Sequence, residues 1–178
     1  MLGELDVRAW LRERLGEKEG QVLPHIQNPK SKTPNTLTDF PVVGSHRGLW
    51  FHTLGQRVGG DVRITNTELR RAGIEPTSKP PLYVVGKNVE KNELIVGRRE
   101  ACYTSELRIT NTELRSPISN LGVRIRNLGE IVRVSSWHMA HGTWTVETCE
   151  PVFAPTPGQS AVFYDAQGRV VGGGIIGD

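Results

Sequence analysis

The C-terminal segment, Pro155–Asp178, constrains the fold of this chain more than any other part of the sequence. Its first residues, Pro155–Gly158, combine two prolines with a glycine, which is typical of a tight turn. The apolar run Ser160–Tyr164 follows, and after a polar stretch a second run contains Gly172–Gly174. Two apolar runs joined by a polar connection predict a β-hairpin, and glycines inside a strand indicate a bend or a close approach of strands.

Alternation of apolar and polar residues extends upstream of this hairpin and indicates an all-β region. The alternation is found in three segments, Val123–Arg126, Val132–Ser135 and Thr143–Glu147. A period of two places the apolar side chains on one face of a strand, and several such short strands predict a small barrel or sandwich. We therefore predict two domains, residues 1–100 and residues 101–178.

The N-terminal domain begins with a predicted helix. Leu5–Leu15 carries an apolar face at helical spacing, with Asp6 as its N-cap and Gly16 as its stop. The segment Gly20–Phe40 is polar and contains three spaced prolines, which is typical of a loop or a loose extended segment.

The rest of this domain predicts β-structure. Leu49–Leu54 is a strand candidate, and Leu82–Lys87 with Asn92–Val96 predicts a hairpin that turns at Asn88–Lys91. The fold class that follows is α+β, with a small central domain of helix and hairpin followed by a C-terminal antiparallel β-barrel.

Composition excludes several classes of protein. The 178 residues are 37% hydrophobic and 23% charged, as expected of a globular chain. No apolar run approaches the ~18–20 residues of a membrane-spanning helix, and the charged N-terminus lacks the apolar core of a signal peptide. A net charge of +3 permits nucleic-acid binding without requiring it. With Cys102 and Cys149 as the only cysteines, we expect reduced thiols and a cytoplasmic protein with no membrane partner.

Two further patterns carry no clear chemistry. The octapeptide Arg-Ile-Thr-Asn-Thr-Glu-Leu-Arg occurs at Arg63–Arg70 and again at Arg108–Arg115, which is too few copies for a repeat architecture and is interpreted as a local duplication. His138 and His141 fall in a predicted turn, Trp137–Gly142, but they have no adjacent cysteine or carboxylate to complete a metal site.

Several segments resemble one enzyme family over nearly the whole chain. Thr-Pro-Gly-Gln-Ser-Ala-Val-Phe-Tyr, followed by Gly-Gly-Gly-Ile-Ile, is similar to the habitual ending of tRNA-specific 2-thiouridylases. Gly48–Arg57 resembles the family's Gly-Leu-Trp-Phe-Tyr-Thr-Ile-Gly-Gln-Arg segment, Leu82–Gly97 its next hairpin, and Val123–Arg126 a barrel strand. The resemblance implies the family's central domain followed by a β-barrel similar to those of translation elongation factors.

The implied function is the tRNA-binding portion of a tRNA-uridine 2-sulfurtransferase that acts on the wobble uridine. In that reaction ATP adenylates the uridine C2 oxygen, and a cysteine persulfide then delivers sulfur. The resemblance thus makes tRNA the expected partner of this chain.

Six residues are candidate tRNA contacts. The family places a tRNA-contacting Arg-Tyr pair and a tRNA-contacting glutamine at three positions of this chain: Arg126, Asn127 and Gln159. The other three candidates come from the predicted strands. Arg124 lies beside Arg126 on the polar face of a strand, and Gln56 and Arg57 lie at the end of another strand. Arginine suits phosphate because its planar fork donates two hydrogen bonds, and a glutamine amide both donates and accepts.

Full-length members of the family begin with an ATP-pyrophosphatase domain that carries a Ser-Gly-Gly-Val-Asp-Ser loop, and they use two cysteines. The 178 residues contain no such loop, and Cys102 and Cys149 match neither cysteine, since Met1–Glu4 aligns just after the second one. The resemblance therefore implies no catalytic residue and no cofactor in this chain, with ATP and magnesium serving the full-length enzyme. A separate ATP-pyrophosphatase polypeptide and a sulfur donor are the implied further partners.

Other functions stay open from the sequence. The stretch after Arg57 and the asparagine at position 127 depart from the family pattern, which favours a degenerate scaffold or protein-binding module that no longer binds tRNA. Independent hydrolytic or redox activity would need a nucleophile–base pair or a metal cluster, and the sequence offers neither.

Overall fold

The computed structural model describes residues 6–25, 41–71, 81–114, 120–126 and 129–177. The chain divides into two compact units, Met1–Cys102 and Tyr103–Asp178. Strands dominate both units, and the strands of the second close into an antiparallel barrel. The predicted α+β class with a C-terminal antiparallel barrel is confirmed. No helix among the described residues is long and apolar enough to cross a membrane.

A five-stranded sheet organises the first unit. Its strands are β1 (Gly20–Pro24), β2 (Gly44–His46), β3 (Val62–Ile64), β4 (Tyr83–Asn88) and β5 (Glu93–Gly97). They lie in the order β3-β2-β1-β5-β4, with β1 parallel to β5 and the other pairs antiparallel. The sheet buries a core of aliphatic side chains: Val22, Val43, Leu49, Val62, Val84, Leu94 and Val96.

Helix α1 (Val7–Leu15) confirms the predicted start and stop signals. The Ala9 N–H donates to the Asp6 carboxylate at 3.2 Å, which satisfies one of the free donors of the first turn. Gly16 has a φ of 69°, a left-handed conformation that favours glycine and ends the helix.

Two segments of the first unit differ from the prediction. The segment predicted as a loop or a loose extended segment begins with a paired strand, β1 at Gly20–Pro24, because parallel pairing with β5 supplies backbone partners that lie far away in sequence; its residues 26–40 lie outside the described residues. Leu49–Phe51 is a short 3-10 helix rather than the start of a strand, closed by a hydrogen bond from His52 N–H to the Leu49 carbonyl. The predicted hairpin is confirmed as β4 and β5.

The second unit is a closed barrel of six strands. They are β6 (Tyr103–Leu114), β7 (Gly122–Arg124), β8 (Val132–Ala140), β9 (Thr143–Phe153), β10 (Ser160–Tyr164) and β11 (Val170–Ile176). Their order is β10-β11-β6-β9-β8-β7, and the β7–β10 pair closes the ring. The barrel interior holds eight buried side chains: Leu107, Ile109, Leu121, Val123, Val146, Ala161, Phe163 and Ile176.

The glycine run lies in β11 and permits a close approach of strands, as expected. A Cβ built on Gly174 would lie 2.5 Å from Ile109 Cγ2 and 2.8 Å from the Thr110 carbonyl oxygen. Opposite this glycine, β6 carries an extra residue, and Asn111 takes a left-handed φ of 49°. β6 therefore bulges toward β11 at a position where only glycine leaves room.

The duplicated octapeptide adopts two different structures. In the first copy, β3 ends at Ile64 and helix α2 (Asn66–Arg71) begins, capped by Thr65, whose hydroxyl accepts from the Glu68 N–H at 3.3 Å. In the second copy, the described residues 108–114 all belong to β6. β3 is an edge strand, whereas β6 pairs with β9 on one side and β11 on the other, so tertiary pairing overrides the helix-capping signal in the second copy.

The β8–β9 hairpin is longer than predicted. The predicted turn at Trp137–Gly142 was wrong, because β8 continues to Ala140 and only His141 and Gly142 form the turn. Both turn residues have positive φ, 51° and 78°, which is typical of the two-residue turns that match strand twist. His138 accordingly lies within a strand.

Candidate functional site

Two turns with the same pattern, Thr-x-Gly-Gln, hold the two candidate glutamines. In Thr53–Gln56 and in Thr156–Gln159, the glutamine backbone N–H donates to the threonine carbonyl at 3.0 Å. The third residue of each turn is a glycine with positive φ, 76° at Gly55 and 88° at Gly158, as a type II turn requires. The repeated Thr-x-Gly-Gln pattern is visible in the sequence and predicts two turns of the same kind.

Each glutamine side chain is oriented by its own turn. Oε1 of Gln56 accepts from the Thr53 N–H at 2.9 Å, and Oε1 of Gln159 accepts from the Thr156 N–H at 3.1 Å. Because a backbone N–H can only donate, the atom that faces it is the amide oxygen, and the NH₂ group is not part of the turn. The amide was expected both to donate and to accept. In this geometry its carbonyl is already engaged, so it can offer a ligand donors, which suit phosphate or base-carbonyl oxygens.

Arg126 lies just past the end of β7, not on the strand as predicted. Its Nη2 donates to the Ala154 carbonyl at 3.1 Å, and its guanidinium carbon lies 5.6 Å from the centre of the Phe153 ring. The residue is nevertheless exposed. These contacts hold the guanidinium at the end of β9 while part of it still faces solvent.

One hydrogen-bonded chain connects Arg126 to the Gln159 turn. The Ala154 carbonyl that accepts from Arg126 also accepts from the Thr156 hydroxyl at 3.2 Å. The backbone N–H of Thr156 in turn donates to Gln159 Oε1. The structure thus brings together two predicted residues that are distant in sequence, and Ala154 and Thr156, which sequence reasoning missed, form the link.

Arg124 is held on the neighbouring strands. It pairs with Val162 of β10, and its guanidinium carbon lies 5.1 Å from the centre of the Tyr164 ring. Its Nε is buried and has no hydrogen-bond partner among the described residues. The side chain is half-buried, so the aromatic ring supports it while it reaches the surface.

Of the remaining candidates, two lie in the first unit and one is not described. Gln56 and Arg57 belong to the first unit, where Arg57 is exposed and its backbone forms an isolated bridge with Tyr83 of β4. Asn127 lies outside the described residues. The assignment of all six residues as tRNA contacts stays a prediction.

The described residues do not fit an ATP–magnesium site. They contain no group of three or more His, Cys, Asp or Glu side chains that could hold a metal ion. The run Gly172–Gly174 is internal to β11, so no helix N-terminus follows it to receive a phosphate. That ATP and magnesium serve the full-length enzyme of the family stays a prediction.

The two cysteines have different surroundings. Cys102 is 7% exposed, its Sγ lies 3.7 Å from the Val84 carbonyl oxygen, and burial raises the pKa of its thiol. Cys149 is exposed on β9, and both thiols are free. A buried thiol with a raised pKa is a poor nucleophile, and that neither cysteine is catalytic stays a prediction.

Two sequence families cover nearly the whole chain. Residues 8–98 match the family described as tRNA methyl transferase PRC-barrel domain. Residues 99–176 match the family described as aminomethyltransferase beta-barrel domain.

Similar curated proteins include several tRNA-specific 2-thiouridylases named MnmA. The protein of Shewanella oneidensis is 36% identical in an alignment of 146 positions that covers 78% of this chain and 37% of that protein. The protein of Thermus thermophilus is 32% identical over 172 residues, 96% of this chain and 39% of that protein. That of Shewanella putrefaciens is 32% identical in an alignment of 183 positions that covers 98% of this chain and 43% of that protein. The chain thus spans about two-fifths of the length of these relatives.

Proposed function

The chain belongs to the tRNA-specific 2-thiouridylase family, and we propose that its two units form the tRNA-binding portion of a tRNA-uridine 2-sulfurtransferase. Its role would be to hold the tRNA while the wobble uridine is 2-thiolated. The chemistry of adenylation and sulfur delivery would be supplied by a polypeptide that carries the ATP-pyrophosphatase domain, with a sulfur donor as a further partner.

The observation that carries this proposal is the chain of hydrogen bonds from Arg126 to Gln159. It orients a guanidinium and an amide group: Arg126 Nη2 donates to the Ala154 carbonyl, and Gln159 Oε1 accepts from the Thr156 N–H. Both groups can therefore offer donors to a ligand without first breaking a side-chain contact. Preorganised donors cost less conformational entropy on binding and suit the phosphate and sugar oxygens of RNA.

Arg124 supports the same assignment. Its guanidinium is held over Tyr164 on the strands next to this end of β7, and the side chain is half-buried. A guanidinium held in this way can donate charge-assisted hydrogen bonds to a phosphate oxygen from the part that faces solvent. In this proposal Arg124 and Arg126 both face the RNA backbone.

We expect Arg126→Ala to weaken tRNA binding by about 1–3 kcal/mol, the scale of a lost charge-assisted contact. The measurement is the dissociation constant of unmodified tRNA at low salt, for wild type and variant. Arg108→Ala is the matched control, because it removes the same charge from an exposed barrel arginine whose Nε is 3.6 Å from Glu106.

The control makes the test specific to position. A larger loss for Arg126→Ala than for Arg108→Ala supports the proposal, since both variants lower the net charge by one. Equal binding by wild type and Arg126→Ala would remove this residue from the tRNA-binding surface. If no variant binds tRNA and wild type does not bind either, the degenerate-scaffold alternative is the better description.

A further inference from the structure

Arg126 is held by two neutral groups, and no acidic side chain among the described residues forms an ion pair with it. Its guanidinium carbon lies 5.6 Å from the centre of the Phe153 ring, and its Nη2 donates to the Ala154 carbonyl at 3.1 Å. Three other arginines are paired with carboxylates instead: Arg12 with Glu17 at 2.9 Å, Arg108 with Glu106 at 3.6 Å and Arg169 with Asp165 at 2.7 Å. A ring and a carbonyl orient a guanidinium without neutralising it, so Arg126 keeps its charge for an anionic ligand.

The ring beneath this guanidinium has its own support. Phe153 is the last residue of β9, and it lies directly opposite Tyr103, the first residue of β6. The two rings pack edge-on, with their centres 5.1 Å apart and an interplanar angle of 61°. Phe153 is half-buried, whereas Arg126 is exposed. A ring fixed by its cross-strand partner gives the exposed guanidinium a surface with a defined orientation.

The backbone that follows this ring is in an unfavourable conformation. Ala154 is 4% exposed and has a φ of 45°, a left-handed value that is costly for a residue with a Cβ. Residues of this kind persist where their surroundings impose them, and they are common at binding sites. The Ala154 carbonyl accepts from both Arg126 Nη2 and the Thr156 hydroxyl. The unfavourable backbone therefore lies at the one carbonyl that connects Arg126 to the turn of Gln159.

We propose that Phe153 is a positioning residue for RNA binding, whose ring, with the Ala154 carbonyl, holds the guanidinium of Arg126 in the orientation in which it meets a phosphate. This inference rests on the proposed tRNA-binding function, and it adds a residue that acts on the RNA only through Arg126. A free arginine side chain loses rotamer freedom when it binds a ligand, whereas one that is already held has lost that freedom on folding. The end of β9 would thus raise the affinity for RNA without touching it.

The test is a double-mutant cycle of tRNA affinity, measured with the full chain at low salt. We expect Phe153→Leu, which removes the ring but keeps an apolar side chain, to weaken binding about fivefold, because the guanidinium must then be ordered on binding. In the Arg126→Ala background the same substitution should leave the affinity unchanged, since no guanidinium is left to position. Phe153→Tyr keeps the ring and should retain most of the affinity.

Phe51→Leu is the matched control for the loss of the ring. Phe51 is also a half-buried phenylalanine, but it belongs to the first unit, and we expect its substitution to leave tRNA affinity unchanged. Denaturant unfolding checks that each variant is folded at the temperature of the binding measurement.

The outcomes separate this inference from the proposed function. If Arg126→Ala weakens tRNA binding but a folded Phe153→Leu variant binds as the wild type does, the inference is wrong and the proposed function stands. An equal loss from Phe153→Leu with and without Arg126 would also overturn the inference, because the ring would then act on the fold or touch the RNA itself. Absence of tRNA binding by the folded wild type would overturn the proposed function, and this inference with it.

Discussion

We expect the chain alone to form no thiouridine in tRNA. We expect thiouridine to form when the chain is mixed with a polypeptide that carries the family's ATP-pyrophosphatase domain and both of the family's cysteines. Adenylation needs a cradle of backbone N–H groups and a metal ion to stabilise the transferring phosphoryl charge, and the described residues contain no group of three or more His, Cys, Asp or Glu side chains that could hold a metal ion. Sulfur transfer needs an accessible thiolate of low pKa, whereas burial raises the pKa of the Cys102 thiol.

Thiouridine formation can be followed by the retardation of thiolated tRNA in a mercury-containing gel. The control replaces Cys102 and Cys149 with serine in the mixture, and we expect thiolation to be unchanged because neither thiol acts in the reaction. Thiolation by the isolated chain would contradict this account. Failure of a mixture whose components are shown to associate would favour the scaffold alternative.

Gly174→Ala should destabilise the barrel more than Gly173→Ala, whose added Cβ would meet nothing nearer than the Ala161 carbonyl oxygen at 3.0 Å. The new Cβ would meet Ile109 Cγ2 at 2.5 Å, and the Thr110 carbonyl oxygen and Thr112 Oγ1 at 2.8 Å. The carbonyl belongs to the backbone of β6 and cannot rotate away, so the strands must separate. We expect a loss of about 3 kcal/mol in the free energy of unfolding, at the upper end of overpacking costs.

Gly177→Ala is the matched control for this substitution. It adds the same methyl group three residues further along, where the nearest atom outside its neighbours is Thr110 Cγ2 at 3.5 Å, an ordinary contact. Denaturant unfolding followed by near-ultraviolet circular dichroism reports the packing of Trp137 and Trp144 in the barrel. If Gly174→Ala and Gly177→Ala are equally stable, the tight approach of β6 and β11 is not a constraint on the fold.

The sequence predicts those elements of the fold that depend on residues close together in the chain. The β10–β11 hairpin, the β4–β5 hairpin and the capping of α1 follow from turn residues, alternation and cap chemistry within a few positions of each other. β1 was missed because its partner β5 is distant in sequence. The clearest limit is the octapeptide, which forms strand and helix at one site and continuous strand at the other, so that no local rule could assign both copies correctly.

The candidate site shows the same division between local and distant contacts. Gln56 and Gln159 are oriented by bonds within four-residue turns, so their geometry could have been inferred from the shared Thr-x-Gly-Gln pattern. Arg126 depends on Phe153 and Ala154, which only the closure of the barrel brings near it. The stacking of Trp137 on Trp144 was hidden because the sequence placed Trp137 in a turn.

The most direct test of the central claim is the affinity of the chain for unmodified tRNA across a series of salt concentrations. We expect the chain to bind tRNA at low salt. The logarithm of the association constant should fall linearly with the logarithm of the salt concentration, because each phosphate contact releases condensed counterions. Arg126→Ala should reduce the slope by about one, whereas Trp10→Leu should leave it unchanged. The result that would contradict the account is the absence of tRNA binding by the folded chain at low salt.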